Sequence, residues 1–181
     1  GRSIMRASVT QGLGGIDPTD PLASRHGASG GFTKLNLDAV RIQTLQEGLY
    51  AVFRGNGQVS TEPLLIPEQF AIGGPDSVRG YPLAEVLGDN GYSVSAELRY
   101  SPLSDPQLFQ ITAFYDHGTA TLKNPQFGEV PIRSLNGAGF GFRFGFNERT
   151  NARLDLGFPI DPARNSRGES PILYGQIETR F

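Results

Sequence analysis

The sequence predicts an all-β fold, specifically an antiparallel transmembrane β-barrel of which eight strands are present. Glycine (24 residues), proline (13), phenylalanine (12) and tyrosine (6) are abundant, as in chains of short strands separated by turns. Apolar and polar residues alternate with a period of two in eight segments, which indicates strands with two different faces. The connections between these segments alternate between long and short, as they do in outer-membrane barrels.

Composition excludes several other classes of protein. Cysteine is absent, so neither a disulfide framework nor a thiolate metal site is possible. The net charge of -2 gives no electrostatic reason to expect a nucleic-acid partner. The two histidines, His26 and His117, have no neighbouring ligands at metal-binding spacing, so we predict no metal and no cofactor. Residues 27–31 match the spelling of a nucleophile elbow but lack the preceding strand and following helix, so we do not expect an enzyme.

The first three strands are predicted at residues 4–13, 32–45 and 49–59. A long loop with two Asp-Pro turn formers joins the first to the second. A short turn at 46–48 joins the second to the third, which makes these two strands antiparallel.

The fourth and fifth strands show the clearest alternation. In the segment 92–100, tyrosines stand at both ends of the apolar face, as on strands that meet lipid headgroups at two interfaces. A short turn at 101–107 leads to the strand that starts at Phe109. Its alternation turns Ile111 outward and Asp116 inward.

The last three strands are predicted at 135–146, 152–158 and 172–181, with long loops at 119–133 and 161–170. The first of them carries four phenylalanines on one face and glycines on the other. A row of phenylalanines suits lipid, and the glycines leave space for a segment to lie close to the wall.

Charged residues occupy the face opposite the apolar one. A water-filled lumen accommodates charges and ion pairs that a dry core cannot. The predicted inward residues are Arg6, Lys34, Asp38, Arg54, Glu97, Arg99, Asp116, Arg143, Arg153, Asp155, Glu178 and Arg180.

The connection at residues 61–91 is too long for a hairpin turn and is neither helical nor periodic. Loops of this length are functional or disordered, and its glycines indicate a defined path with positive φ angles. We predict a loop that inserts Arg79, its strongest cation, into an enclosed space. The motif of this loop consists of Gly73, Gly74, Val78, Arg79, Gly80 and Tyr81.

This motif resembles the signature of the two-partner secretion translocators, barrels that export large haemagglutinins and haemolysins and that share a superfamily with the outer-membrane insertase. In that superfamily a Val-Arg-Gly-aromatic tip lies on an extracellular loop folded into the barrel. Its arginine pairs with the aspartate of a Phe-x-Asp-x-Gly motif on an inner strand face. The matching residues here are Phe114, Asp116 and Gly118.

The resemblance implies a function and a set of partners. It implies that residues 1–181 form a translocator domain in the outer membrane of a Gram-negative bacterium, through which a large exoprotein is secreted. The lipid bilayer and the barrel assembly machinery are further implied partners, the latter through the terminal aromatic Phe181. The inner wall along which an extended substrate passes would include Glu97, Arg99, Arg143, Arg153 and Glu178.

Family members have sixteen strands, whereas this sequence predicts eight. An eight-stranded barrel has room for side chains or one small ligand, so a loop of almost thirty residues does not fit inside it. The chain is therefore expected to be the C-terminal half of a larger barrel, or to be completed by a second copy or another chain. Two alternatives stay open: an insertase-like assembly factor, and a soluble ligand-binding β-barrel with an apolar interior.

Overall fold

Eight long strands form one antiparallel sheet in the computed structural model, which describes residues 1–15, 19, 24–28, 30–147, 149–160 and 171–180. A separate pair of three-residue strands, β4 and β5, lies within the connection between β3 and β6. The strands are β1 (Arg2–Leu13), β2 (Gly31–Gln46), β3 (Leu49–Ser60), β4 (Phe70–Ile72), β5 (Val86–Gly88), β6 (Asn90–Tyr100), β7 (Phe109–Thr121), β8 (Ile132–Gly145), β9 (Thr150–Pro159) and β10 (Ile172–Thr179).

The order of the large sheet is β1-β2-β3-β6-β7-β8-β9-β10, so each strand pairs with its neighbour along the chain. The all-β class and the eight antiparallel strands are confirmed. In the part of the chain that the structure describes, the sheet is open, with β1 and β10 at its two edges. The connections at 47–48, 101–108 and 146–149 lie at one end of the strands, which defines the short-turn side.

The two faces of the sheet differ as the alternation predicts. On β6 the outward side chains of Leu98 and Tyr100 are 48% and 50% exposed. Outward rings contact one another across β7 and β8, where Phe109 and Phe142 stack with their centroids 5.9 Å apart. A soluble ligand-binding barrel would show the reverse, because its apolar residues face inward. The opposite face carries the charged residues and meets the loop.

Two predicted loops are corrected by the structure. The connection after β3 is not without structure of its own, because it contains a 3₁₀ turn, Ile66–Glu68, and the β4–β5 ribbon. The connection after β7 spans 122–131 and not 119–133, because β7 and β8 pair as far as Thr121 and Ile132. The predicted loop at 161–170 lies outside the described residues. The described part of the chain contains no helix that is both long and apolar enough to span a bilayer.

Candidate functional site

The connection between β3 and β6 spans 61–89 and not 61–91, because β6 begins at Asn90, and this loop packs on the inner face of the sheet through a small apolar core. Most of this core comes from the loop, namely from the β4–β5 ribbon and from Val78 and Tyr81 at the loop tip, residues 78–81. The rest comes from β7 and β8 of the large sheet, which we call the wall. The buried members of this core are Phe70, Ile72, Val78, Tyr81, Val86, Ala120 and Leu135. Burial of these side chains holds the loop against the wall independently of any charge.

Wall glycines allow the tip of the loop to approach closely. A Cβ added at Gly137 of β8 would overlap the carbonyl oxygen of Arg79, and one at Gly157 of β9 would lie 2.5 Å from the amide nitrogen of Gly80. Gly118 faces Val78 in the same way, with a Cβ at 2.9 Å from its Cγ2 atom. Gly80 itself has a φ of 100°, which side chains rarely tolerate. Glycines on both surfaces therefore set the distance between loop and wall.

Arg79 is the centre of the site, because its guanidinium bonds to three strands of the wall. Its Nε lies 2.7 Å from Asp116 Oδ2 and its Nη2 lies 2.8 Å from Asp116 Oδ1, a bidentate contact. Its Nη1 donates to Glu97 Oε1 at 2.8 Å and to Asp155 Oδ2 at 3.4 Å. Nη2 also donates to Ser95 Oγ. The guanidinium carbon lies 3.4 Å from the centroid of the Phe114 ring, a cation–π arrangement.

Two of the carboxylates that bond to Arg79 also accept hydrogen bonds from arginines on the strands of the wall. Glu97 accepts hydrogen bonds from Arg54 at 2.8 Å and from Arg99 at 2.6 Å. Asp155 accepts from Arg143 at 2.6 Å. Four guanidinium groups thus share three carboxylates, which are those of Glu97, Asp116 and Asp155.

The centre of this charge cluster is dry. The side chains of Arg79, Asp116 and Glu97 are 3%, 0% and 1% exposed. Burial alone would lower the pKa of Arg79, but the hydrogen bond and charge of Asp116, with the charges of Glu97 and Asp155, raise it above its usual range. Arg79 therefore stays protonated at all relevant pH values. Removal of one partner from such a buried pair costs about 3–5 kcal/mol, far more than at a surface.

Tyr174 of β10 fixes the backbone beside Arg79. Its hydroxyl accepts a hydrogen bond from the amide of Gly80 at 3.0 Å and donates one to the carbonyl of Tyr81 at 2.6 Å. The hydroxyl of Tyr81 in turn donates to the carbonyl of Asn136 on β8. Tyr174 is not among the residues predicted from the sequence, although its position between the outward Leu173 and Gly175 turns it inward.

A second buried ion pair joins three long connections at the other end of the loop. Asp89, which is 0% exposed, accepts from Arg25 at 2.7 Å and 2.8 Å. The same carboxylate accepts from the amides of Leu64 at 2.7 Å and Lys123 at 2.6 Å. The carboxylate of Asp89 thus links the β1–β2, β3–β6 and β7–β8 connections. Arg25 has no local pattern that marks it, because it lies in a long loop.

The other predicted site residues occupy different places. Gly73 and Gly74 both have φ of 103° where the loop turns before its tip. Arg153 contacts Asp76 beside the tip, at 2.5 Å. Glu178 does not join the cluster but pairs with Arg180 at an exposed edge. Phe181 lies outside the described residues. The described residues contain no group of three or more histidines and acidic residues placed to hold a metal ion.

A match to a protein-family model identifies the family of this chain. Residues 3–144 match the model of one family, described as haemolysin secretion/activation protein ShlB/FhaC/HecB. The chain belongs to this family. The resemblance to the two-partner secretion translocators is thereby confirmed, and the family is one of protein transport and not an enzyme class. No curated protein matches the chain.

Solved structures share the fold of this family member. CdiB from Escherichia coli is 21% identical with a TM-score of 0.71, and the match covers 99% of this chain and 33% of that one. CdiB from Acinetobacter baumannii is 21% identical with a TM-score of 0.61, covering 82% of this chain and 27% of that one. The chain thus spans about a third of the length of the solved structures that it matches.

Proposed function

We propose that this chain is the pore-wall and inserted-loop part of an outer-membrane translocator, in a Gram-negative bacterium, that secretes a large exoprotein. Family membership supports the transport class. The observation that carries the proposal is the loop tip, which is held on the polar face of the sheet by a buried Arg79–Asp116 pair. In a translocator this pair acts as a latch that positions the loop within the pore.

The eight strands form the C-terminal half of the wall of a transmembrane barrel, with the long connections outside the cell. The exposed apolar outer face supports contact with the lipid bilayer, and the charged inner face supports an aqueous pore. Both edges, β1 and β10, must be paired in the membrane, since unsatisfied backbone groups are not tolerated in lipid. Further strands of a longer chain, or a second copy, complete the wall. Phe181 is the proposed signal for the barrel assembly machinery.

The mass of the 181-residue chain tests whether eight strands close by themselves. We expect the detergent-purified chain to form a dimer or a larger species, with the change in gel mobility on heating that is typical of barrels. The reason is the loop, which occupies the space that a closed eight-stranded barrel lacks. A monomer of 19.5 kDa with the same change in mobility would contradict the proposed larger barrel.

Deletion of the gene that encodes this chain tests the export function. We expect the culture supernatant of the deletion strain to lose one large secreted protein, and a plasmid-borne copy of the gene to restore it. The polar inner wall supports passage of an extended polypeptide without bond-breaking chemistry. Unchanged secretion, combined with loss of other barrel proteins from the outer membrane, would refute export and favour the insertase-like alternative.

A further inference from the structure

A cavity of about 370 Å³ lies on the inner face of the sheet, between the charge cluster of Arg79 and the short-turn side. We call it the arginine chamber, because the guanidinium groups of Arg54, Arg99, Arg143 and Arg153 line it. Four residues with side-chain amides also line it, Gln107, Gln110, Asn151 and Gln176, of which Gln110 donates through Nε2 to the carbonyl of Pro106. The lining is therefore rich in N–H groups that face a space large enough for a ligand.

The chamber has more cationic donors than the neighbouring carboxylates can accept. Glu97 alone is contacted by Arg54, Arg99 and Arg143, at N–O distances of 2.8, 2.6 and 3.6 Å. The Glu97 carboxylate also bonds to Nη1 of Arg79, at 2.8 Å. Because a guanidinium carries five N–H donors and no acceptor, donors remain after these contacts.

Two of the four arginines are the most accessible. The side chain of Arg54 is 40% exposed and bonds through Nη1 only, among the contacts of the described residues. The side chain of Arg153 is 24% exposed and bonds through Nη2 to the largely exposed Asp76. The one carboxylate that lines the chamber, that of Glu178, is paired with Arg180 at 3.1 Å. The remaining N–H groups of Arg54 and Arg153 are thus available to an incoming anion.

We propose that the arginine chamber binds the carboxylates of an acidic, extended segment of the polypeptide in transit. This inference rests on the proposed export function, in which the short-turn side is the side of entry. Guanidinium groups recognise carboxylates by paired N–H donors, and the surrounding amides bond to carbonyls of an extended backbone. Because the accessible arginines are partly solvated, each contact is weak and salt-sensitive, which lets a segment bind and then move on.

The test measures equilibrium binding of a fluorescein-labelled peptide of ten glutamates to the chain in an uncharged detergent, by fluorescence anisotropy. We expect Arg54→Gln combined with Arg153→Gln to raise the Kd about tenfold, since loss of each partly solvated ion pair is expected to raise it about threefold. The control is Arg41→Gln, since Arg41 shares the outer face with Phe53 and lies outside the chamber. Its Kd is expected to stay within about twofold of the parent value. A tenfold rise in KCl concentration should weaken binding to the parent chain.

Three outcomes would overturn the proposal: no binding of the glutamate peptide, equal binding by the double variant, or equal binding of a ten-lysine peptide. If the double variant lacks the gel-mobility change of the parent, the two single variants take its place, each with an expected rise of about threefold in Kd. Export by the deletion and complemented strains is measured separately. A protein that restores export but binds no glutamate peptide refutes the chamber alone, whereas peptide binding without export refutes only the translocator function.

Discussion

Replacing Arg79 by alanine in the full-length protein is expected to reduce export of the exoprotein at least about tenfold, because the loop loses its contacts to three buried carboxylates. Asp116 would be left fully buried without its main cation, at a cost of about 3–5 kcal/mol. Arg79→Lys is expected not to restore export. A single ammonium group cannot make the bidentate contact with Asp116 and also stack on Phe114. Secreted exoprotein is quantified in the supernatant against protein level in the outer membrane.

The double substitution separates a latch from two independent effects. Asp116→Ala is expected to reduce export as Arg79→Ala does, and the two together should be no worse than the worse single change, because both remove one interaction. Losses that add would contradict the latch. Arg41→Ala is the matched control, since Arg41 lies on the outer face, away from the latch, and donates to the side chains of Ser3 and Gln43.

Gly137→Ala is expected to displace the loop tip although it changes no charge. The added Cβ would overlap the Arg79 carbonyl oxygen, and the β8 backbone is fixed by pairing to β7 and β9. The native chain has no cysteine, so Val78→Cys provides a clean probe at a position that is 0% exposed. Maleimide labelling of this cysteine should be slow in the parent and at least about tenfold faster with Gly137→Ala, since local opening controls access to buried groups.

The control for this prediction is Gly175→Ala on β10. A Cβ there meets only Leu154 Cδ1 at 3.8 Å, an ordinary contact, so labelling should stay at the parent rate. Equal acceleration by both substitutions would indicate general loosening of the sheet. No acceleration by Gly137→Ala would show that the tip does not depend on this close approach.

Local alternation was sufficient to predict the sheet but not the internal structure of the loop. Period-two patterns located all eight strands and the facing of residues such as Leu98 and Asp116. The strands β4 and β5 have three residues each, too few for a pattern to stand out. The end of β7 was placed short because Thr119, Ala120 and Thr121 carry little hydrophobic signal.

The site depended on a family motif and not on periodicity. The resemblance of two motifs to a known family predicted that Arg79 pairs with Asp116. The Nε of Arg79 lies 2.7 Å from Oδ2 of Asp116. The latch function of this pair is our proposal. The contributions of Asp155 and Tyr174 to the tip were not predicted, because they come from strands far along the chain. Buried polar partners of this kind are determined by tertiary packing, which a single sequence does not display. Burial of the cluster also makes it drier than the water-filled lumen that composition suggested.

Asp89 has a consequence for the order in which the protein is assembled. Its carboxylate accepts hydrogen bonds from the Arg25 side chain and from the backbone amides of Leu64 and Lys123. Arg25 also donates to the carbonyl of Lys123, which lies 98 residues further along the chain. Closing so long a span carries an entropic cost before any contact compensates for it. Until the connection after β7 is in place, Asp89 lacks the Lys123 amide and Arg25 lacks the Lys123 carbonyl. Because β2, β3, β6 and β7 separate these connections along the chain, we expect this contact to form only after those strands have paired.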